Sequence, residues 1–293
     1  MTCSLAGDRP APLAAEWRRV NLGWLGLLFW LLLVVVALAP LAQRRLLQLR
    51  RDGTVQRLGR ARGSRVLTLI ERRETYRILG IPILRHDEID DAERVLRAIS
   101  LAPETQPIDL IVHTSGGGSL AAEQIAHALV RHPATVTVFV PHYALGGGTV
   151  IALAADQIVL DPNAALGPVV ATVGPYPAPA LVALARKKPA EALGDRTLAL
   201  IDQACKAHEQ ARSLVAELLM AGGATGERAA EVAETLTGGT WTPRYPILVE
   251  EAERLGLPVS TVMPRDVYAL MDLYDIGPRA RPSTTAVPLE GPR

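Results

Sequence analysis

Two glycine-rich turns, each following an apolar strand, carry the residues of this chain that could do chemistry. The first is His113-Thr114-Ser115-Gly116-Gly117-Gly118-Ser119, after Asp109-Leu110-Ile111-Val112. The second is Tyr143-Ala144-Leu145-Gly146-Gly147-Gly148-Thr149, after the strand Val136 to Pro141. Glycine lets backbone approach a bound carbonyl with no side chain in the way. Backbone N–H groups aimed at a carbonyl oxygen stabilise the negative charge it gains during acyl transfer. The same glycines also serve plain strand-to-helix turns. Three hydroxyls lie on these turns: Ser115, Ser119 and Thr149. Ser119 suits a helix cap, and Thr149 falls about 5 Å along the helix from position 146. His113 and His142 end the two strands beside the turns.

The bulk properties exclude several classes. A length of 293 residues supports one sizeable core plus extra segments. A formal net charge of +1 gives no electrostatic case for a nucleic-acid partner. The two cysteines, Cys3 and Cys205, are far apart and have no ligand-like spacing, so neither a disulfide framework nor a metal site is expected. Cys205 reads as a small buried residue. Nothing in the motifs calls for a cofactor.

Strands, turns and helices alternate. Val66 to Ile70 and Ile78 to Leu84 read as strands, with Pro82 marking an edge or a break. Asp87 to Ile99 reads as a helix with Ile89, Ala92, Val95, Leu96 and Ile99 on one face. Ile108 to His113 is largely apolar, as in a parallel strand buried on both sides. A helix opened by Ser119 runs toward Pro133, and the same strand, glycine turn and helix recur at Val136 to Ala155 before a third strand, Gln157 to Leu160. Single helices between successive strands predict right-handed crossovers and a parallel sheet, hence an α/β fold. Pro168 to Pro189 reads as a connector. A long helix from Arg196 to Leu219 follows, with a stripe of Leu198, Ile201, Cys205, His208, Ala211, Val215 and Leu218 suited to the core or a partner subunit. Shorter helices are expected at Gly226 to Leu236 and Leu248 to Leu255, and a disordered tail at 277–293.

The N-terminal region predicts an anchor. Residues 21–42 contain no charge and match the length of about 20 residues that crosses a bilayer as a helix. Arg44, Arg45, Arg50, Arg51, Arg57, Arg60, Arg62 and Arg65 follow this run, whereas only Arg9, Arg18 and Arg19 precede it. The positive-inside rule then keeps the downstream side in the cytoplasm. The expected organisation is a tail at 1–20, a transmembrane helix at 21–42, a basic linker at 43–63, the main domain at 64–276 and the tail. A membrane is accordingly an expected partner.

The two turns, with Ile151-Ala-Leu-Ala-Ala-Asp156, Leu255-Gly-Leu-Pro-Val-Ser-Thr261 and Tyr268-Ala-Leu-Met-Asp-Leu-Tyr274, resemble the serine dehydrogenase proteinase family. That family is related to signal peptide peptidase A and to the Clp protease and crotonase superfold. The resemblance implies a Clp protease/crotonase-like domain in a single-pass protein of a prokaryotic plasma membrane, a serine endopeptidase activity and a ring-like oligomer. It assigns oxyanion or substrate binding to Gly116, Gly117 and Gly147. It puts the nucleophile at position 146, where the family has serine and this chain has Gly146.

Other family marks are missing as well. Val170-Ala171-Thr172 stands where the family has Asp-Pro-Gln, and Pro243-Arg244 where it has His-Asp. Thr149 is a weak candidate for a replacement nucleophile, and Lys206, at a position where the family tends to be basic, for a base. The expectation is a degenerate member that binds peptide or protein, as a homo-oligomer or with an active paralogue. An active peptidase with a non-standard nucleophile and a crotonase-like oxyanion-hole enzyme or acyl binder are the alternatives.

Overall fold

The computed structural model describes residues 17–71, 75–78, 81–84, 88–116 and 119–275. The chain divides into two compact units, residues 1–52 and 53–293. Helix α1 (Trp17–Arg62) holds the N-terminal apolar run. Strand β1 (Arg65–Ile70) is followed by a hairpin of β2 (Thr75–Ile78) and β3 (Ile81–Leu84) and by helix α2 (Glu88–Ser100). Next come β4 (Ile108–His113), α3 (Ser119–Val130), β5 (Val136–Val140), β6 (Tyr143–Ala144), α4 (Gly147–Leu153) and β7 (Gln157–Leu160). Short strands β8 (Ala165–Leu166), β9 (Thr172–Val173) and β10 (Tyr176–Pro177) lead into α5 (Ala178–Lys187) and the long α6 (Asp195–Ala221). Helices α7 (Gly226–Thr237) and α8 (Val249–Arg254), strand β11 (Val259–Ser260) and helix α9 (Arg265–Asp275) complete the described chain.

Five strands form one parallel sheet in the order β1-β4-β5-β7-β11. Side chains alternate between faces along a strand, so each strand feeds two cores. Leu110 and Val112 of β4, Val138 and Val140 of β5, and Ile158 and Leu160 of β7 turn to a layer that includes residues of α2, α3, α4, α6 and α7. The alternate residues Ile111, Phe139 and Val159 turn to Leu58 and to Val267, Leu270 and Met271 of α9. A third cluster joins Val173 and Ala178 to Leu181, Ile201 and Ala204, where α5 packs on the first half of α6.

The second face carries a buried charge. Asp109, only 1% exposed, accepts from Arg62 Nε at 2.5 Å, Arg62 Nη2 at 3.3 Å and Ser64 Oγ at 2.5 Å. The guanidinium of Arg62 also lies 5.0 Å from the centre of the Phe139 ring. The pair ties the end of α1 to the middle of the sheet.

Several expectations change here. The expected membrane span is corrected: among the described residues no helix is long and apolar enough to cross a membrane. The apolar run at 21–42 is not a separate span followed by a linker. It is the first part of one 46-residue helix that also carries Arg44, Arg45, Arg50, Arg51, Arg57, Arg60 and Arg62, so charge is distributed along the same element. The single-pass plasma-membrane location with a cytoplasmic main domain, and the membrane as a partner, are therefore not supported. The second expected strand is instead an antiparallel hairpin, with Pro82 of β3 opposite Arg77. The expected connector at 168–189 contains α5, which starts after Pro177 and has proline in its first turn, where no N–H partner is lost. The α6 stripe holds at Ile201, Val215 and Leu218, which are buried, but Ala204 is buried in place of Cys205, which is exposed. The expected tail at 277–293 lies outside the described residues.

Removal of the buried carboxylate strands Arg62 and Ser64 against the sheet. Asp109→Ala is expected to lower unfolding free energy by about 3 kcal/mol. Urea denaturation followed by circular dichroism measures this, and a loss under about 0.5 kcal/mol would show that the pair does not anchor the helix.

Candidate functional site

The two glycine turns meet at the C-terminal ends of β4 and β5. A backbone ladder joins them: Thr114 N–H donates to Tyr143 O at 3.2 Å, and Leu145 N–H donates to Thr114 O at 3.0 Å. An added Cβ at Gly146 would lie 3.7 Å from Gly116 Cα, which places the two predicted site glycines side by side. Gly146 precedes α4 with φ 52° and ψ −109°, in a region that residues with a side chain rarely occupy. Gly116 also has a positive φ, of 99°.

The approach of α4 to the first turn depends on Gly148. A Cβ there would stand 2.5 Å from Thr114 Cγ2 and 3.0 Å from Ala144 Cβ. The methyl group of Thr114 thus fills the space a side chain at 148 would need. Gly167 is constrained in the same way, since its Cβ would be 2.9 Å from Leu145 Cδ2.

Thr149, the candidate replacement nucleophile, is fully buried. Its hydroxyl lies 2.8 Å from both Ala144 O and Gly167 O, and accepts from Gly167 N–H at 3.0 Å. One hydroxyl has a single proton and two lone pairs, so these backbone groups account for its bonding capacity. The group braces the second turn against the segment after β8.

Lys206, the candidate base, is exposed on α6 and paired with Asp202 at 2.6 Å. Its half of α6 packs with α5 and β9, whereas the half that joins the α4 layer carries Leu214, Val215 and Leu218. The structure does not bring Lys206 to the turns. Of the three predicted binding glycines, Gly116 and Gly147 are placed and Gly117 lies outside the described residues. The N–H of Gly116 donates to Thr114 Oγ1 at 3.2 Å. Among the described residues nothing accepts the N–H of Gly147.

One site residue was not expected from sequence. Glu71, just after β1, places Oε2 on the first turn, where it accepts from Thr114 Oγ1 at 2.8 Å, Ser115 N–H at 2.7 Å and Ser115 Oγ at 2.9 Å. Its partners are 43 and 44 residues away, so no local spacing reveals it. The only available signal is an acid at the end of the strand beside β4.

On the other side of the strand ends, the His113 ring lies 4.2 Å from that of Tyr143 and 5.4 Å from that of His142, centre to centre. Tyr268 donates to Asp161. Partial burial raises the Asp161 pKa, but the bonds from Tyr268 and Asn163, together with nearby His142, hold it below the usual range. The Tyr268 phenol is pushed up to about 12, chiefly by its bond to that carboxylate. Among the described residues no group of acids, histidines and cysteines could hold a metal ion.

Comparison with known proteins supplies the family. Residues 20–292 match the model of the ClpP-like SDH-type serine proteinases. Two proteins of Methanocaldococcus jannaschii are similar over most of their length: uncharacterized protein MJ0137, 47% identical over 89% of this chain and 91% of its own, and uncharacterized protein MJ1495, 44% identical over 89% of each. Among solved structures, ClpP1 from Listeria monocytogenes matches at 14% identity and a TM-score of 0.41, covering 76% of this chain and 97% of that one. A variant of the 1510-N membrane-bound stomatin-specific protease matches at 16% identity and the same TM-score, covering 71% and 82%. The chain belongs to the ClpP-like SDH-type serine proteinase family.

Two glycine substitutions separate packing from backbone conformation. Gly148→Ala forces a Cβ into Thr114 and Ala144 and is expected to cost about 2 kcal/mol or more. Gly146→Ala has room, so its cost is the backbone penalty of φ 52° with ψ −109°, about 1 to 3 kcal/mol. Urea denaturation of each variant measures these losses, and a loss under about 0.5 kcal/mol for Gly148→Ala would contradict the packing argument.

Proposed function

We propose that this member of the ClpP-like SDH-type serine proteinases has kept a peptide-binding cradle at the two glycine turns and has lost peptide hydrolysis. It then binds extended peptide or protein segments, either as a homo-oligomer or beside an active paralogue. The observation that carries the reading is Gly146, which stands where the family has its nucleophile and adopts φ 52° against Gly116 with no side chain to attack a carbonyl. Acyl transfer to an enzyme needs a nucleophile and a base in hydrogen-bond reach. The candidate base Lys206 is engaged with Asp202 on another face, and the Thr149 hydroxyl is held by backbone groups.

A second reading, hydrolysis by a non-standard nucleophile, draws on one contact. The Ser115 hydroxyl lies 2.9 Å from Glu71 Oε2. That oxygen already accepts two further donors, which fix it on the turn. The pair is better suited to holding the turn than to activating a nucleophile.

Serine at 146 would have space, because the nearest atom to an added Cβ is Gly116 Cα at 3.7 Å. In an assay with fluorescein-labelled unfolded casein, the unmodified chain is expected to bind without releasing fragments. Gly146→Ser is expected to remain at least about 100-fold slower than a serine-containing relative, the usual contribution of a positioned base. Fragment release by the unmodified chain would overturn the reading.

A further inference from the structure

We propose that Glu71 sets the availability of the first glycine turn to a peptide carbonyl, acting through Thr114 as a positioning residue. The proposal rests on the peptide-binding reading above. Glu71 is fixed at the end of the sheet, since its N–H donates to His113 O at 2.8 Å. Its Oε2 takes the Thr114 hydroxyl proton at 2.8 Å. An ionised carboxylate only accepts hydrogen bonds, so Thr114 Oγ1 must donate to it and turns its lone pairs elsewhere. One of them receives the Gly116 N–H at 3.2 Å. The order of donation is therefore set from the carboxylate outward: Gly116 N–H to Thr114 hydroxyl to Glu71.

The second turn holds the same threonine from its other side. Its methyl group occupies the space beside Gly148, where an added Cβ would come within 2.5 Å. Methyl and hydroxyl together leave Thr114 one orientation, in which it covers the Gly116 donor. The covering bond, at 3.2 Å, lies at the long end of the N–H···O range, so a ligand carbonyl can compete for it. A peptide carbonyl oxygen is the class of group that would take this donor, and the Glu71 and Thr114 pair opposes its entry.

Thr114→Val keeps the shape and the methyl contact but removes the acceptor. It is expected to speed hydrogen exchange at the Gly116 amide by about tenfold and to tighten binding of labelled unfolded casein by about fivefold, the worth of one neutral hydrogen bond. Thr114→Ser keeps the hydroxyl but loses the methyl that orients it, and should speed Gly116 exchange by a smaller factor than Thr114→Val. Glu71→Gln removes the charge that orients the hydroxyl and should speed Gly116 exchange by a smaller factor. A residue that only stabilised the fold would lower the melting temperature without a selective change at Gly116. Unchanged Gly116 exchange in both Thr114→Val and Glu71→Gln overturns the proposal, and so does faster exchange with weaker casein binding. Faster exchange with no casein bound by any variant, the unmodified chain included, supports the hold of Glu71 on the turn and instead removes the peptide-binding reading.

Discussion

The contact between the Thr114 methyl and the bare Cα of Gly148 is the constraint on which the rest of the site depends. It lets α4 begin directly against the first turn, and the ladder from Thr114 to Tyr143 and Leu145 then locks the two turns in register. From the other side, the Thr149 hydroxyl bridges Ala144 and Gly167 and holds the second turn to the segment after β8. Dense packing of this kind tolerates little change in volume. The geometry of the turns is thus set by small residues and backbone bonds, and no side chain at position 146 takes part in it.

On the proposed reading, that separation lets a chain of a peptidase family keep its turns with glycine at position 146. Gly146 adopts its positive φ at low cost because it has no Cβ. A serine there would have to be held in the same region by the surrounding structure, a strain that active sites tolerate when it serves function. Without that demand, glycine relieves the turn. Thr149 illustrates the other limit: a hydroxyl close in sequence to Gly146 is committed to the architecture and is fully buried.

The sheet was legible because its signals are local. Largely apolar runs at 108–113, 136–140 and 157–160 lead directly to β4, β5 and β7. Signals that depend on distant partners were not legible. Glu71 reaches residues 43 and 44 positions away, and Arg62 meets Asp109 47 positions away. The strand β11 has only two residues, too few for a period to emerge. Along α6, Ile201, Val215 and Leu218 are buried as the stripe implies, whereas Cys205 and Ala204 are both small, periodicity alone does not choose between them, and the pairing with α5 turns Ala204 inward. An uncharged run in a sequence does not show where its helix ends, and the helix that holds 21–42 continues to Arg62. Of the candidate site, the two turns and their glycines were legible as turns. The bonds that occupy their hydroxyls were not, because a hydroxyl in a sequence carries no sign of what will hold it.

The most direct test of the claim that these turns lack a working nucleophile is intact-mass analysis of the purified full chain after exposure to a fluorophosphonate, which forms a stable adduct with activated serines. A serine-containing relative treated in parallel confirms that the reagent is active. The account predicts that the relative gains one adduct and this chain keeps its unmodified mass. An adduct on this chain, mapped to Ser115 or to any other hydroxyl, would contradict it.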